Sequence, residues 1–579
     1  MLDKCHLSLL LQVSSFLIII LILSLIYTCL PTSNHLLAQQ SPTQNYVTYE
    51  KHSNFIKEFK TPINERGLKG VATDSEQNVW FYHATSNGSL IMKMSKEGTN
   101  FTKYTIPGNT IVDSAIINLA GGQLLFDNAS NVIWFTDART NSLGKLDIES
   151  SKIELFSIPT NNSGIMGLAF SPDKKVVWFT EIIGNKIGNL DIESKKITEY
   201  PTGDNSGPTF LTFDSKGVLW VTLSYANSIL KVEPWLLFPG IRSSGMYTIS
   251  LEKPDFFSPF GIVTIKVKGI EKIFVSDHGS SRVIVANIDS DLKNYTSYWT
   301  SPSQALPMSL PSQVVSDKNG NIFFVQHGGN KITKISSENG IMTEFEIPTG
   351  PLATSLFLAV SQDEKRIWFT EWASNKIGYL DNTLQVPLNM LVTKNESAST
   401  NTDITPITLK AGESFPVIVA LTLDRNMSSL ALANDTELSV VGMTDSGLQG
   451  IGYTSTPQSV NLMNVPERDV NIDLKVETEK AIGGNYTLML RASLLEKERL
   501  VLSLLYPQLV KLDVPTKPSE MNKIENFQQF SSKNVESSNS SAMFRDFLRI
   551  GAIAVVIILV GYLIYHNIMR RSKFKKAKS

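Results

Sequence analysis

The residues best suited to chemistry occupy one position of a recurring phrase. The phrase "IWFTEWASNKIG" begins at residue 367, and related versions begin at residues 79, 133, 177, 219, 273 and 322. The fifth residue is polar in every copy but one, and the seven positions are His83, Asp137, Glu181, Leu223, Asp277, Gln326 and Glu371. Because Mg²⁺ and Ca²⁺ prefer carboxylate oxygens, the candidate metal ligands are Asp137, Glu181, Asp277 and Glu371. The alternative is that these carboxylates are solvated or hydrogen-bonded within the fold, and no cofactor is identified with certainty.

Two histidines directly follow this position. His278 in "SDHGS" and His327 in "VQHGG" each lie one residue beyond it, in consecutive copies of the phrase. An imidazole at such a place could accept a proton or bind a ligand. The alternative is that the His-Gly pair begins a turn, and this is the interpretation that the sequence favours.

The spacing of the phrase predicts the fold. Successive copies lie 42 to 54 residues apart, and each copy is surrounded by four short strand-like segments. Repeats near 45 residues with four strands each are typical of β-propellers. We predict an all-β chain whose residues 46–386 form a seven-bladed β-propeller. Alternation along a strand places the phrase's Trp and Thr on one side and its Phe and polar residue on the other, so we expect the polar residue to face the axial funnel.

One strand pattern stands outside the repeat. "FIKEFKTP" (55–62) resembles the fourth segment of a repeat but precedes the first copy, whereas the last copy lacks such a segment. The sequence therefore predicts that the N-terminal strand completes the seventh blade and closes the ring, which hides two strand edges.

The phrase "WFTE…NKIG…ITEYP", with a preceding Pro-X-Gly-Ile, resembles the repeats of the virginiamycin B lyase (streptogramin B lyase) family over about residues 50–385. The resemblance implies an enzyme that opens a streptogramin B ring by elimination with Mg²⁺. The family's motif pairs a first-strand His in "P-H-A-I-T" with the Glu of "WFTEW". Glu371 matches that Glu and is the candidate catalytic residue.

The family's histidine has no counterpart in this chain. Ser355 or Leu356 occupies its place before Glu371, and the other blades offer Lys69, Met166, Thr209, Phe260 and Ser312 there. His278 and His327 are the weaker candidates for a replacement base. The resemblance therefore predicts the fold more strongly than the activity.

The chain ends predict a membrane location. Residues 1–40 read as a signal peptide or signal anchor, residues 548–569 as a transmembrane helix, and residues 570–579 as a basic cytoplasmic tail. The expected location is the cell membrane, with one or two spans and most of the chain outside the cytoplasm. A net charge of -1 argues against nucleic-acid binding.

The remaining segments predict a spacer. Residues 387–516 contain short alternating strands, and "GGNYTLMLRAS" resembles a late strand of immunoglobulin-like domains with Tyr486 at the tyrosine position. We predict an immunoglobulin-like β-sandwich there, followed by a flexible stalk at 517–547.

Two functions remain open from the sequence. The favoured one is a cell-surface module that binds an extracellular ligand, glycan or protein. The other is a metal-dependent lyase-like or lactonase-like enzyme. The tethered architecture favours binding and the family resemblance favours catalysis.

The predicted topology can be tested on intact cells. Added protease should remove the propeller and spare an epitope placed after Arg570, because only the tail is expected inside. Immunoblotting for both parts measures the outcome, and a propeller that survives protease would overturn the assignment.

Overall fold

The computed structural model describes residues 55–108, 119–238, 245–250, 258–290, 292, 295–300, 308–350, 353–394, 407–424, 436–439, 451–457, 459–460, 467–476, 483–496 and 499–513. The predicted signal or anchor (1–40), stalk (517–547), membrane span (548–569) and tail (570–579) lie outside these residues. Within the described part, no helix is long and apolar enough to cross a membrane.

Strands dominate the described chain. Strands β1 to β28 are, in order, Ile56–Lys60, Leu68–Thr73, Val79–Thr85, Gly88–Met94, Phe101–Thr105, Leu124–Asp127, Val132–Asp137, Ser142–Asp147, Ile153–Ser157, Ile165–Phe170, Val176–Glu181, Lys186–Asp191, Ile197–Pro201, Pro208–Phe213, Leu219–Leu223, Ser228–Val232, Met246–Ile249, Pro259–Val267, Ile270–Asp277, Arg282–Asn287, Tyr295–Trp299, Pro311–Ser316, Ile322–Gln326, Lys331–Ile335, Met342–Glu346, Ser355–Val360, Arg366–Glu371 and Lys376–Asp381. Single-turn 3₁₀ helices occur at Pro234–Leu236 and Ile288–Ser290.

These strands form the seven four-stranded blades of a β-propeller-like fold; six blades are separate sheets, and the sheet of blade 6 continues into later strands. Blades 1 to 6 are β2–β5, β6–β9, β10–β13, β14–β17, β18–β21 and β22–β25, and blade 7 is β26–β28 with β1. The first strands contact one another in sequence, and β26 contacts β2, so the ring is closed. Strand β1 pairs antiparallel with β28, with Ile56 opposite Leu380 and Lys60 opposite Lys376. The predicted closure by the N-terminal strand is therefore confirmed.

The threonine of the phrase joins neighbouring blades. The first strand bulges near its start, and there the Gly167 N–H donates to Thr180 Oγ1 at 2.8 Å. The same hydroxyl donates to the Thr209 carbonyl of the next blade at 2.6 Å. Hydroxyls at this position make the equivalent bond to the next first strand in four other blades: Thr136, Thr222, Ser276 and Thr370.

Other residues of the phrase hold the blade together. Trp80 and Trp178 are buried and stack on the fourth-strand aromatics Tyr104 and Tyr200, with ring centroids 5.5 and 5.9 Å apart. The glycine of "NKIG" lies under the phrase's Phe ring. A Cβ added at Gly188 would come within 2.2 Å of the Phe179 ring, which leaves no room for a side chain.

A second set of strands follows the propeller. Strands β29 to β37 are Leu388–Lys394, Ile407–Lys410, Ser414–Leu423, Thr436–Ser439, Ile451–Thr456, Ser459–Val460, Glu467–Val476, Gly484–Glu496 and Arg499–Asp513. One sheet has the order β29-β31-β35-β33, and the other runs β37-β36-β32-β34 with β30 parallel to β37. Alternate residues of β31 and β35 are buried, including Val417, Val419 and Ile472.

The second set is joined directly to the propeller. Strand β37 pairs antiparallel with β25, the outer strand of blade 6, with Leu502 opposite Phe345 and Leu505 opposite Met342. Leu502, Leu505 and Phe345 are buried at this junction. The two sets of strands are therefore fixed to each other by backbone hydrogen bonds as well as by shared apolar packing.

Removing the closing strand should open the ring. Deletion of residues 46–62 removes β1 and the buried Phe55 and Ile56 side chains, whose burial contributes about 1.5–3 kcal/mol each. We expect early thermal unfolding or aggregation of the ectodomain, measured by calorimetry and light scattering. Deletion of 517–546 is the control and should barely change the melting temperature. Equal stability of the two deletions would contradict the closure.

Candidate functional site

Aromatic side chains meet across the axis of the propeller. Phe210 of blade 4, Phe260 of blade 5 and Phe357 of blade 7 come from first strands. The Phe210 and Phe357 ring centroids lie 6.2 Å apart, and those of Phe210 and Phe260 lie 5.3 Å apart. Because blades 4 and 7 are not neighbours, the first contact crosses the axis. Phe210 and Phe357 are buried and form a floor within the channel.

Two histidines stand beside this floor. His278 and His327 come directly after the second strands of blades 5 and 6, and their rings meet edge to face with centroids 4.9 Å apart. The His278 ring lies 5.5 Å from that of Phe260, and Ser312 Oγ lies 3.4 Å from His327 Nδ1. Both histidines begin turns, as the sequence favoured, yet the fold brings their rings together. We call these two rings and the three phenylalanines the cup.

Burial keeps both imidazoles neutral. Desolvation lowers the pKa of His278 to about 4, and desolvation with the charge of His278 lowers the pKa of His327 to about 3. At neutral pH the cup therefore offers uncharged rings, each with one N–H donor and one acceptor nitrogen.

The acidic positions of the phrase lie within blades and not around the channel. Glu371 is fully buried, and its neighbours are Ser374 and, across the blade, Lys376 and Glu58. Lys376 Nζ lies 2.8 Å from Glu58 Oε2 on the outer strand. The expectation that the fifth residue faces the funnel is therefore wrong for Glu371. The physical reason is that this face of the second strand packs toward the preceding blade, where Lys376, opposite Glu371 on the third strand, donates to Thr349.

Blade 3 repeats the same arrangement. Glu181 is buried beside Lys186 and Glu199, and Lys186 Nζ lies 2.6 Å from Glu199 Oε2. Lys186 also donates to Thr160 Oγ1, on the segment from the preceding blade, at 2.6 Å. Lys376 makes the matching 2.6 Å bond to Thr349 in blade 7. We call this Glu-Lys-Glu row, which continues to a neighbouring threonine, a polar row.

Burial, with a neighbouring carboxylate, raises the pKa of both second-strand acids. The pKa of Glu181 is raised to about 8 by desolvation and by Glu199, and that of Glu371 to about 8 by desolvation and by Glu58. Each is therefore mostly protonated at neutral pH, and a protonated carboxyl is a poor ligand for a hard cation.

The other acidic positions are also engaged. Asp277 pairs with Arg282 at 3.0 Å, and both are buried. Asp137 accepts from Tyr82 Oη of blade 1 at 2.9 Å. Among the described residues, no three His, Cys, Asp or Glu side chains converge where they could share a metal ion. The four candidate metal ligands thus lie in four separate blades and do not converge on one site.

Most of the cup was not predicted from the sequence. Phe260 was noted only as the residue at the place of the family's histidine, and Phe210 and Phe357 were not singled out. The sequence feature that could have predicted this floor is an aromatic residue near the start of the first strand in three blades. Lys69, also noted only as occupying the place of the family's histidine, donates from Nζ to the Ala120 carbonyl at 2.5 Å. Burial and the charge of Arg139 lower the pKa of this amine to about 7.

Similarity to known proteins agrees with the repeat. Residues 43–234 match the model of the virginiamycin B lyase family, which confirms the predicted resemblance. Similar solved structures include virginiamycin B lyase from Staphylococcus aureus, at 22% identity over 56% of this chain and 98% of that chain, with a TM-score of 0.46. A catalytically inactive histidine-to-alanine variant of that enzyme with quinupristin gives the same values. Hydrazine synthase from Kuenenia stuttgartiensis matches at 10% identity over 56% of this chain and 98% of that chain, with a TM-score of 0.43. No curated protein matches this chain by sequence.

The lowered pKa of His278 and the raised pKa of Glu371 should make the free energy of unfolding depend on pH in opposite directions. The pKa of His278 is lower in the native state than in the unfolded state, so on acidification the unfolded state binds the proton first. The contribution of this histidine to the free energy of unfolding is therefore at its maximum above about pH 6.5 and decreases as the pH falls toward 4. His278→Gln should reduce this decrease, which is at most about 1.4 kcal/mol per pH unit for one group. The measurement is denaturant unfolding of the ectodomain across pH 4–8.

Glu371→Gln is the matched comparison of opposite sign. Because the native carboxyl keeps its proton to about pH 8, stability should fall as the pH rises from about 4.5 to 8. The variant should lose that fall and stay folded. Parallel pH profiles for wild type and both variants would contradict the assigned protonation states.

Proposed function

We propose that this virginiamycin B lyase-like protein, whose residues 43–234 match that family, is a membrane-anchored cell-surface module that binds a ligand in its cup. The observation that carries the proposal is the contact of His278 with His327 and Phe260, beside the phenylalanine pair that meets across the axis. A concave apolar surface with a few convergent polar groups is the usual form of a ligand site.

The chemistry of the cup favours an uncharged, ring-shaped ligand. Phe260 and the two imidazoles offer flat faces for stacking. Both imidazoles are neutral and can donate and accept hydrogen bonds, which suits hydroxyl or amide groups. Sugar rings and cyclic peptides have this combination of apolar faces and polar edges. Among the classes of partner expected from the sequence, an extracellular glycan fits the cup best.

The direction of β37 supports display of the cup away from a membrane. The cup lies where the second strands end, and Met342 begins β25 at the opposite end of blade 6. Because Leu505 lies opposite Met342 and Leu502 opposite Phe345, β37 runs away from the cup toward Asp513. A stalk over 517–547, treated as a flexible chain, would span about 30 Å. A transmembrane helix at 548–569 would then anchor the chain with the cup outward.

In this proposal the second set of strands is an immunoglobulin-like sandwich. Its sheets β29-β31-β35-β33 and β37-β36-β32-β34, with β30 parallel to β37, support that assignment. Residues 1–40 would serve as a signal peptide or signal anchor, which leaves one or two membrane spans.

The alternative function is a metal-dependent lyase or lactonase, favoured by the family match. An elimination needs a base whose pKa lies near the working pH. Ser355 and Leu356 cannot serve, and His278 and His327, with pKa values of about 4 and 3, are weak bases. Glu371 belongs to a polar row and is buried away from the cup. These observations favour binding over turnover.

The purified ectodomain should bind neutral glycans through the cup. We expect a glycan array to show binding that His278→Ala with Phe260→Ala reduces by at least tenfold, because both ring contacts are lost. Tyr225→Ala is the control, since Tyr225 is exposed at the same end of the propeller but is not part of the cup. An array without binding, or binding that the cup variant keeps, would overturn the proposal.

The enzymatic alternative is tested with quinupristin and Mg²⁺. We expect no ring opening by mass spectrometry, because no base of suitable pKa faces the cup. Mg²⁺-dependent opening that His327→Ala abolishes would replace binding with catalysis as the function of this site.

A further inference from the structure

We propose a second binding site, for an organic anion with an apolar tail, in the cavity between blades 5 and 6 and strand β37. The cavity has a volume of about 300 Å³. It is lined by the outer parts of blades 5 and 6 and by Leu509, which belongs to the second set of strands. It lies toward the turns that join first to second strands, at the end of the propeller opposite the cup.

The walls of the cavity suit an apolar tail. Phe274 and Val285 of blade 5 and Ile322 and Ile335 of blade 6 line it together with Leu509. The four blade residues are nearly inaccessible to solvent and belong to the apolar core between the two blades. A ligand tail would therefore meet an apolar wall, and removing the tail's own surface from water would favour binding.

The charged groups of the cavity favour an anion. Lys268 and Lys272 both line it, and the carboxylate of the lining residue Glu338 belongs to an exposed side chain. Lys268 Nζ donates to the Glu338 carbonyl at 3.1 Å. In the described part of the chain, no carboxylate oxygen lies within 4 Å of the Lys272 amine. Lys268 is itself exposed, so the partly buried Lys272 amine is the charge within the cavity, and no carboxylate of the described residues is in contact with it.

A buried phenol also lines the cavity. Burial raises the pKa of Tyr298, so its hydroxyl stays protonated and adds no negative charge to the cavity. Burial and the charge of Lys268 lower the pKa of Lys272, and a bound anion would offset both effects by supplying the missing opposite charge.

The volume sets the size of the ligand. One liquid water occupies about 30 Å³, so the cavity holds roughly ten water-sized groups. Octanoate, with eight carbons and two carboxylate oxygens, matches this number and places one charge at the end of an apolar chain. Because Leu509 forms one wall, the ligand would contact the propeller and the second set of strands at once and stabilise their junction.

The test uses the ectodomain, residues 41–547, with octanoate as the probe. Isothermal calorimetry should detect octanoate binding, and Lys272→Met should weaken it by about tenfold or more, because a charge-assisted hydrogen bond is lost. Val285→Trp should abolish binding by filling the cavity. Lys174→Met is the control, since Lys174 is exposed on blade 3, and it should leave octanoate binding unchanged.

Two neutral or cationic probes decide the chemistry. 1-Octanol should bind more weakly than octanoate and be insensitive to Lys272→Met, and octylammonium should not bind. Failure of octanoate to bind the wild type, equal binding by Lys272→Met, or tighter binding of octylammonium would each overturn the site. If Val285→Trp does not fold by circular dichroism, Lys272→Met alone decides the outcome.

Discussion

A second-strand hydroxyl that links one first strand to the next, present in five of the seven blades, is the interaction on which the ring depends. Its oxygen accepts an N–H from the bulge of its own first strand and donates to a carbonyl of the neighbouring one, as Thr222 does with Phe210 and Phe260. A backbone bulge would otherwise leave buried polar groups without partners, which costs about 1–3 kcal/mol each. One small side chain therefore satisfies two strands and sets the distance between two blades.

In the two blades that lack this hydroxyl, other side chains link the first strand to that of the next blade. In blade 6 the position is Val325, and a first-strand side chain makes the link to blade 7, where Gln313 Oε1 accepts the Leu358 N–H at 2.9 Å. In blade 1 the position is Tyr82, and the Lys69 amine reaches the Ala120 carbonyl of blade 2. The buried lysine is therefore best understood as a structural link between blades, despite its lowered pKa.

The polar rows stabilise the blades in a related way. Burial leaves Glu181 and Glu371 mostly protonated at neutral pH, so each is the chemical equivalent of Gln326, which donates to Glu344 at 2.9 Å in blade 6. That third row lies under the β25–β37 junction, where Glu344 is opposite Ser503. Gln326 carries no charge at any pH, and this suits the blade 6 row because the second set of strands shields that row from solvent. The fold uses its acids for structure and leaves rings and imidazoles at the channel, and function must be argued from that site and not from the propeller itself.

The sequence alone determined the repeat, the four strands of each blade and the closing role of residues 55–62, because these depend on local patterns and on a count of strands. It also identified His278 and His327, since a titratable residue after a strand is visible in any alignment of the copies. Only the tertiary structure decided which way Glu371 points, because alternation fixes two opposite faces of a strand but not which neighbour each face meets. The floor made by Phe210 and Phe357 was equally out of reach, because its two halves lie three blades apart. The pairing of β37 with β25 depends on an open edge of blade 6 meeting a strand more than 150 residues later, a contact that no local pattern along the chain records.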